Sequence, residues 1–205
     1  MTQEELQREY DKYQNLFDTV KLEIESEIVK FENYKGEFYE VFPFSYQRGG
    51  FKQGKSVKNI TLLKNTNNLF TYGFNEEERI IEIREGISIK DKFYYRFLFY
   101  EKIYVKSLSY DYDKRLQNIS FYLLDENKYI RKMYLKGRLG KREEDYYYGE
   151  NGILEKIVIR QFDKKGNEGG TLIHSFEYQT SGELKSITKT ALNNDTYSEL
   201  IYSTR

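Results

Sequence analysis

Gly49 to Ser56 reads GGFKQGKS and satisfies the spacing G-x-x-x-x-G-K-S. In a phosphate-binding loop of that spacing the backbone amides surround the phosphates, the lysine (here Lys55) reaches the outer ones and the hydroxyl (here Ser56) holds magnesium. FYLLDE, Phe121 to Glu126, would supply Asp125 as the supporting acid. That chemistry needs a helix directly after the loop, whose N-terminal dipole favours phosphate, inside a parallel α/β sheet. The residues that follow, VKNITLLKNTNN, are rich in Val, Ile, Thr and Asn, and no alternating strand and helix pattern succeeds them. The stretch is read as a mobile loop, with a nucleotide-dependent enzyme kept as an alternative.

Lys128 to Arg142 holds seven bases (Lys128, Arg131, Lys132, Lys136, Arg138, Lys141 and Arg142) and no acid, with Tyr129 and Tyr134 interleaved. Bases between aromatic rings can grip phosphates and stack on unpaired nucleobases. Lysines along a strand also prevent edge-to-edge pairing, and Glu143, Glu144 and Asp145 follow at once. A solvated face is the first expectation, an acidic protein partner the second and nucleic acid the last. His174, the only histidine, shares its parity in LIHSFEY with Leu172, Phe176 and Tyr178, which predicts a partly buried, hydrogen-bonded imidazole on an aromatic face. Without a second His or a Cys it cannot complete a metal site or a thiol pair. Asp111 and Asp113 are spaced to share one strand face; with 33 acids in the chain, such pairs arise by chance and are read as surface. No catalytic residue, metal or cofactor is expected.

The elements that would position these groups are mostly strands. Residues 2–33 read as one helix, because Leu6, Tyr10, Tyr13, Phe17, Val20, Ile24, Ile28 and Phe31 recur at threes and fours. Thr2 with Glu5 fits a capping box. This segment holds nine acids and four bases, leaving 24 and 29 in the rest, so the charge divides −5 against +5. A helix lying across a sheet is the plain reading, and dimerisation through it the alternative. From Gly36 on, strands are predicted at 37–46, 57–64, 69–74, 79–85, 93–112, 117–124, 129–136, 145–148, 154–162, 172–178, 184–192 and 197–202. Their short Gly, Asn and Asp-rich connections imply sequential antiparallel neighbours. The expected fold is mainly β (α+β): an N-terminal helix over residues 1–34 packed on an antiparallel meander over 35–205, in a single domain.

Bulk composition narrows the classes further. Twenty-one Tyr and 14 Phe with no Trp suit a half-buried sheet, whose rings pack while hydroxyls reach water. Net charge is formally zero, which argues against a dedicated nucleic-acid or membrane-surface protein. The absence of cysteine excludes disulfides and thiolate catalysis. The N-terminal residues MTQEELQREYDKYQ are polar, and no run of 18 apolar residues occurs, so a cytoplasmic protein with no membrane partner is expected.

One pattern repeats. YYYGENGILEKIVIRQF (146–162) is followed by FEYQTSGELKSITKTAL (176–192), so that Tyr148, Leu154 and Ile157 answer to Tyr178, Leu184 and Ile187. Phe74, Ile80 and Ile83 form a further copy, and Tyr112, Leu116 and Ile119 one that is two residues shorter in the turn. Leu154 and Ile157 are an odd number apart, so the Leu is expected in a turn or bulge, with Ile157 and Ile159 starting the buried face.

With FDKKGNEGG between them, these segments resemble the YD-repeat meanders of Rhs-type proteins and the related MORN-variant repeats of bacterial antitoxin-like proteins. The likeness covers Tyr110 to Leu192, and the YD dipeptides themselves occur only around Tyr110 to Asp113. It implies a meander whose twisted surface binds another protein, in the manner of immunity proteins that occlude a toxin. The surface expected to do so comprises Arg138, Lys141 and Arg142 beside Tyr146, Tyr147 and Tyr148. A sheet that binds carbohydrate or single-stranded nucleic acid through its Tyr faces is a further alternative.

Overall fold

Six hairpin turns of one construction organise the chain: Asn75–Arg79, Asp111–Arg115, Asp125–Tyr129, Gly149–Ile153, Asp163–Asn167 and Gln179–Glu183. In each, the first N–H donates to the fifth carbonyl and the fourth N–H to the first carbonyl. The fourth residue is left-handed, either Gly (Gly152, Gly166, Gly182) or Glu78, Lys114 or Lys128. Where the first residue is Asn75, Asp111, Asp125 or Asp163, its side chain also accepts N–H bonds from inside the turn, which is why Asx residues suit this position. The residues that close the turns pair across them at a constant spacing of six: Phe74 with Ile80, Tyr110 with Leu116, Leu124 with Ile130, Tyr148 with Leu154, Phe162 with Glu168 and Tyr178 with Leu184. A register shift beside each pair is the expected bulge. Tyr110, not Tyr112, is therefore the aromatic residue of its copy, and that copy is no shorter than the others.

The computed structural model describes residues 1–59, 65–192 and 197–204. Two helices, α1 (Gln3–Tyr13) and α2 (Phe17–Glu27), precede the strands β1 (Lys30–Lys35), β2 (Lys55–Ser56), β3 (Leu69–Phe74), β4 (Ile80–Gly86), β5 (Phe93–Tyr100), β6 (Tyr104–Tyr110), β7 (Leu116–Leu124), β8 (Ile130–Gly137), β9 (Gly140–Tyr148), β10 (Leu154–Phe162), β11 (Glu168–Tyr178), β12 (Leu184–Leu192) and β13 (Tyr197–Ser203). They form one 13-stranded sheet, and all its pairings are antiparallel. From β3 to β13 each strand lies beside the one before it, while β1 inserts between β3 and β2. The fold is mainly β with an N-terminal helical segment.

Each face of the sheet carries its own cover. Over the middle strands lie the helices, whose Leu6, Tyr10, Tyr13, Phe17, Val20 and Ile24 pack on Phe97, Leu108, Tyr110, Ile119 and Phe121. Phe17 sits edge-on to Tyr95 and Tyr110 at 5.1 and 5.2 Å. The capping box forms as expected, with Thr2 and Glu5 bonding reciprocally. The helix is not continuous, however. It breaks after Tyr13, whose carbonyl takes the Tyr110 hydroxyl at 2.9 Å, and it ends at Glu27, after which Ile28 is extended. Residues 30–35 join the sheet instead, leaving Phe31 at the surface with Arg84 over its ring.

The opposite face is covered by irregular chain. Residues 37–46, predicted as a strand, form no strand; they run as a strap over the sheet and end in a single 3-10 turn, Gln47–Gly49. EFYEVFPFSY alternates like a strand at Phe38, Phe42, Phe44 and Tyr46, but its rings pack down on the sheet, the adjacent Tyr39 included, instead of pairing within it. Here Phe38 stacks on Tyr34 (4.1 Å), Phe42 on Tyr122 (3.6 Å) and Phe44 lies against Phe176 (5.1 Å). The Phe38 N–H donates to the Tyr72 hydroxyl at 2.9 Å. The strap thus crosses from β1 to the β11–β13 end, where Gly50 sits under the Ile201 carbonyl. Of the strand expected over 57–64, residues 60–64 lie outside the described residues. The 93–112 segment is two strands joined by an exposed turn at Lys102–Ile103.

Candidate functional site: a strap pinned over the sheet

Glu144 on β9 is 2% exposed and anchors an ionic cluster beneath the strap. Arg48, just past the strap's aromatic run, puts Nη2 2.9 Å from Glu144 Oε1, and Arg142 pairs with the same oxygen. The Tyr146 hydroxyl donates to Oε2 at 2.6 Å. Arg48 Nε donates to His174 Nδ1 at 3.2 Å, so that one guanidinium joins the strap to β9 and β11. Burial alone would raise the Glu144 carboxyl, but the charges of Arg48 and Arg142, with the bonds from Arg48 and Tyr146, hold it at about 2. Burial, reinforced by the Arg48 charge, lowers His174 to about 4. The imidazole is therefore neutral near pH 7, with its Nδ1 lone pair already engaged.

The expected binding residues divide between the two faces. Tyr146 is 4% exposed and inside the cluster, which corrects the expectation that it displays its ring. Arg142 also points to the strap side, and Tyr148 packs there on Tyr129 at 4.9 Å beneath Arg131. Strand alternation sends Lys141 and Tyr147 to the helix side: Lys141 donates to Gln3 of α1 at 2.6 Å, and Tyr147 is exposed beside Lys156. Arg138 occupies the two-residue turn between β8 and β9. The six do not share one surface, because Tyr146 to Tyr148 alternate across the sheet.

The remaining sequence candidates are placed as follows. Within GGFKQGKS, the Gly54 N–H donates to Glu37 and Lys55–Ser56 pair antiparallel with Tyr34–Lys35. Residues 57–59 continue without helix, so the helical N-terminus that phosphate binding requires does not follow Ser56. Asp125 is occupied by the Asn127 and Tyr129 amides and by Arg131 at 2.7 Å. Asp111 and Asp113 lie within one turn rather than on a strand face, and Asp111 accepts the amides of Asp113 and Arg115. The basic run is largely engaged, for example Lys132 with Asp145 (3.5 Å) and Lys136 over the Tyr10 ring (5.4 Å). His174 is buried and hydrogen-bonded, as expected. Arg48 and Glu144 were not singled out by sequence, since their pairing spans 96 residues and no local pattern marks it.

No helix among the described residues is long and apolar enough to cross a membrane. No family model matches the chain, and no curated protein matches it. Among solved structures, a porin-like protein from Bacteroides uniformis aligns at 13% identity with a TM-score of 0.41, over 63% of this chain and 51% of the other. The chain thus spans about half the length of that protein.

Proposed function

We propose that this chain is a non-enzymatic protein-binding module of the immunity or antitoxin kind, which engages its partner through the helix-side face of β10–β13. What supports this reading is an uncovered run of rigid sheet. The helices pack on the middle strands, whereas Val158, Ile173, Thr188 and Thr190 are half-buried and Leu192 and Leu200 exposed on the strands beyond. The rim on the β9 side is charged and internally paired, with Arg160 2.6 Å from Asp145. Apolar contacts inside a polar rim are the usual anatomy of a protein interface. The outer strand β13 adds Leu200, 63% exposed, at a sheet edge to which no further described strand is paired. An edge of this kind can accept an extended segment from a partner.

Co-expression with the product of the adjacent gene, followed by size-exclusion chromatography, tests the reading. A stable complex is expected that Ile173→Asp or Leu200→Arg dissolves while Phe51→Ala, at an exposed site elsewhere, leaves it intact. A complex unaffected by both face substitutions, or no complex with that product, overturns it.

A further inference from the structure

Between the strap and the strands a cavity of about 420 Å³ remains open, lined from above by Phe42, Ser45 and Arg48. That volume lies in the range of small-ligand pockets, roughly 300–1,000 Å³. Apart from the ionic cluster of Arg48, Arg142, Glu144 and His174, this face is largely aromatic and aliphatic, and the cavity floor differs from it. Ser107 and Ser120 stand opposite each other on β6 and β7, and Ser109 stands opposite Asn118 one step along. Ser107 and Ser120 are 3% and 2% exposed, and Ser109 and Asn118 are half-buried beside them. Four polar side chains gathered on one floor, with the unpartnered Nε of Arg142 beside them, suit a polar ligand better than a packed core.

Two guanidinium groups border this floor. Arg96 enters from β5, opposite Ser109, and makes no ion pair or hydrogen bond with the protein; its charge acts on Glu85 in an adjoining recess without contact. Arg142 enters from β9 on the far side, with one end on Glu144 and its Nε buried without a partner. The cavity lining therefore holds three arginines against the single carboxylate of Glu144. The Arg142 side chain is 32% exposed, so the site can be reached from solvent.

We infer that this cavity binds a small polyhydroxylated anion, a sugar acid or sugar phosphate, with its anionic group on Arg96 or Arg142 and its hydroxyls on the Ser107, Ser109, Asn118 and Ser120 floor. Serine hydroxyls both donate and accept, as a polyol does, and a guanidinium fork matches carboxylate or phosphate oxygens. The inference stands apart from the protein-binding reading, because it concerns the opposite face.

Calorimetric titration of the full chain with gluconate, glucose 6-phosphate, glucose and inorganic phosphate tests it, with amide chemical-shift mapping as a second readout. At least one of the two sugar anions is expected to bind ten or more times more tightly than glucose or phosphate, shifting amides of β6, β7 and the strap. Arg96→Gln and Ser120→Val should each weaken that binding at least tenfold. Arg96→Gln removes no ion pair or hydrogen bond, and wild-type amide shifts away from the cavity should show that the variant is folded. Absence of heat and shifts with both sugar anions, phosphate or glucose binding as tightly as the better of the two sugar anions, or affinities unchanged in both variants would each overturn the proposal.

Discussion

Two carboxylates are buried in this sheet, one on each face, and they are treated in opposite ways. Glu144, under the strap, has both oxygens bonded and two arginines in contact, and is held near pH 2. Glu82, under the helices, is 0% exposed with Arg84 2.7 Å from one oxygen and no partner on the other. Burial pushes Glu82 above the ordinary carboxylate range against the lowering effect of Arg84, which it shares with Glu25. The difference teaches what each cover is held by. The helices rest on apolar contact, with the ion pair an added cost; the strap, which has no secondary structure of its own, depends on its ionic pin.

The strongest way to break this contrast is Glu144→Gln, which leaves the largely buried Arg48, and the partly exposed Arg142, without a countercharge. A loss of about 3–5 kcal/mol in chemical denaturation is expected. Phe42→Ala, which removes the ring stacked on Tyr122, should cost about 3 kcal/mol, near the lower end for buried aromatic truncations, and release the strap's amides to hydrogen exchange ahead of the helices.

Acidification separates the faces without mutation. His174 is lowered to about 4, so the folded state binds fewer protons than the unfolded one between about pH 6.5 and 4. Its contribution is complete above that window and is lost as pH falls through it, because protonation removes the acceptor of Arg48 Nε. Glu144 follows from about 4.5 down to 2. Stability should fall by a few kcal/mol over the upper window, and His174→Asn should flatten that slope. The smallest effect is expected from Glu82→Gln. With its raised value, Glu82 favours the folded state when protonated and opposes it as pH rises, so the neutral amide should change stability at pH 7 by less than about 1 kcal/mol, in either direction. A loss as large as that of Glu144→Gln would erase the contrast.

Much of the meander was legible because its determinants are local. A left-handed fourth residue marks each of the six hairpins and an Asx first residue four of them, and the predicted 154–162 and 184–192 coincide with β10 and β12. The strap was not legible, since its burial of Phe42 and Phe44 depends on Tyr122 and Phe176 far along the chain. The break in the helical segment turns on Tyr110, some 97 residues away. The candidate surface failed at Tyr146 for a simpler reason: in a run of three tyrosines, parity cannot say which ring faces inward until a bulge sets the register. Arg96 and the serine floor gave no signal, since single polar residues in strands ordinarily face water.

Arg48 meets His174 across 126 residues of chain. At roughly 5–20 residues per second of translation, the strap leaves the ribosome about 6–25 s before the last strand it grips. Phe38 waits for Tyr72, Phe42 longer for Tyr122, and Phe44 through the whole of that interval for Phe176. The nascent chain must carry an aromatic ribbon that waits for its seat, and any chaperone dependence in biosynthesis should trace to those three rings.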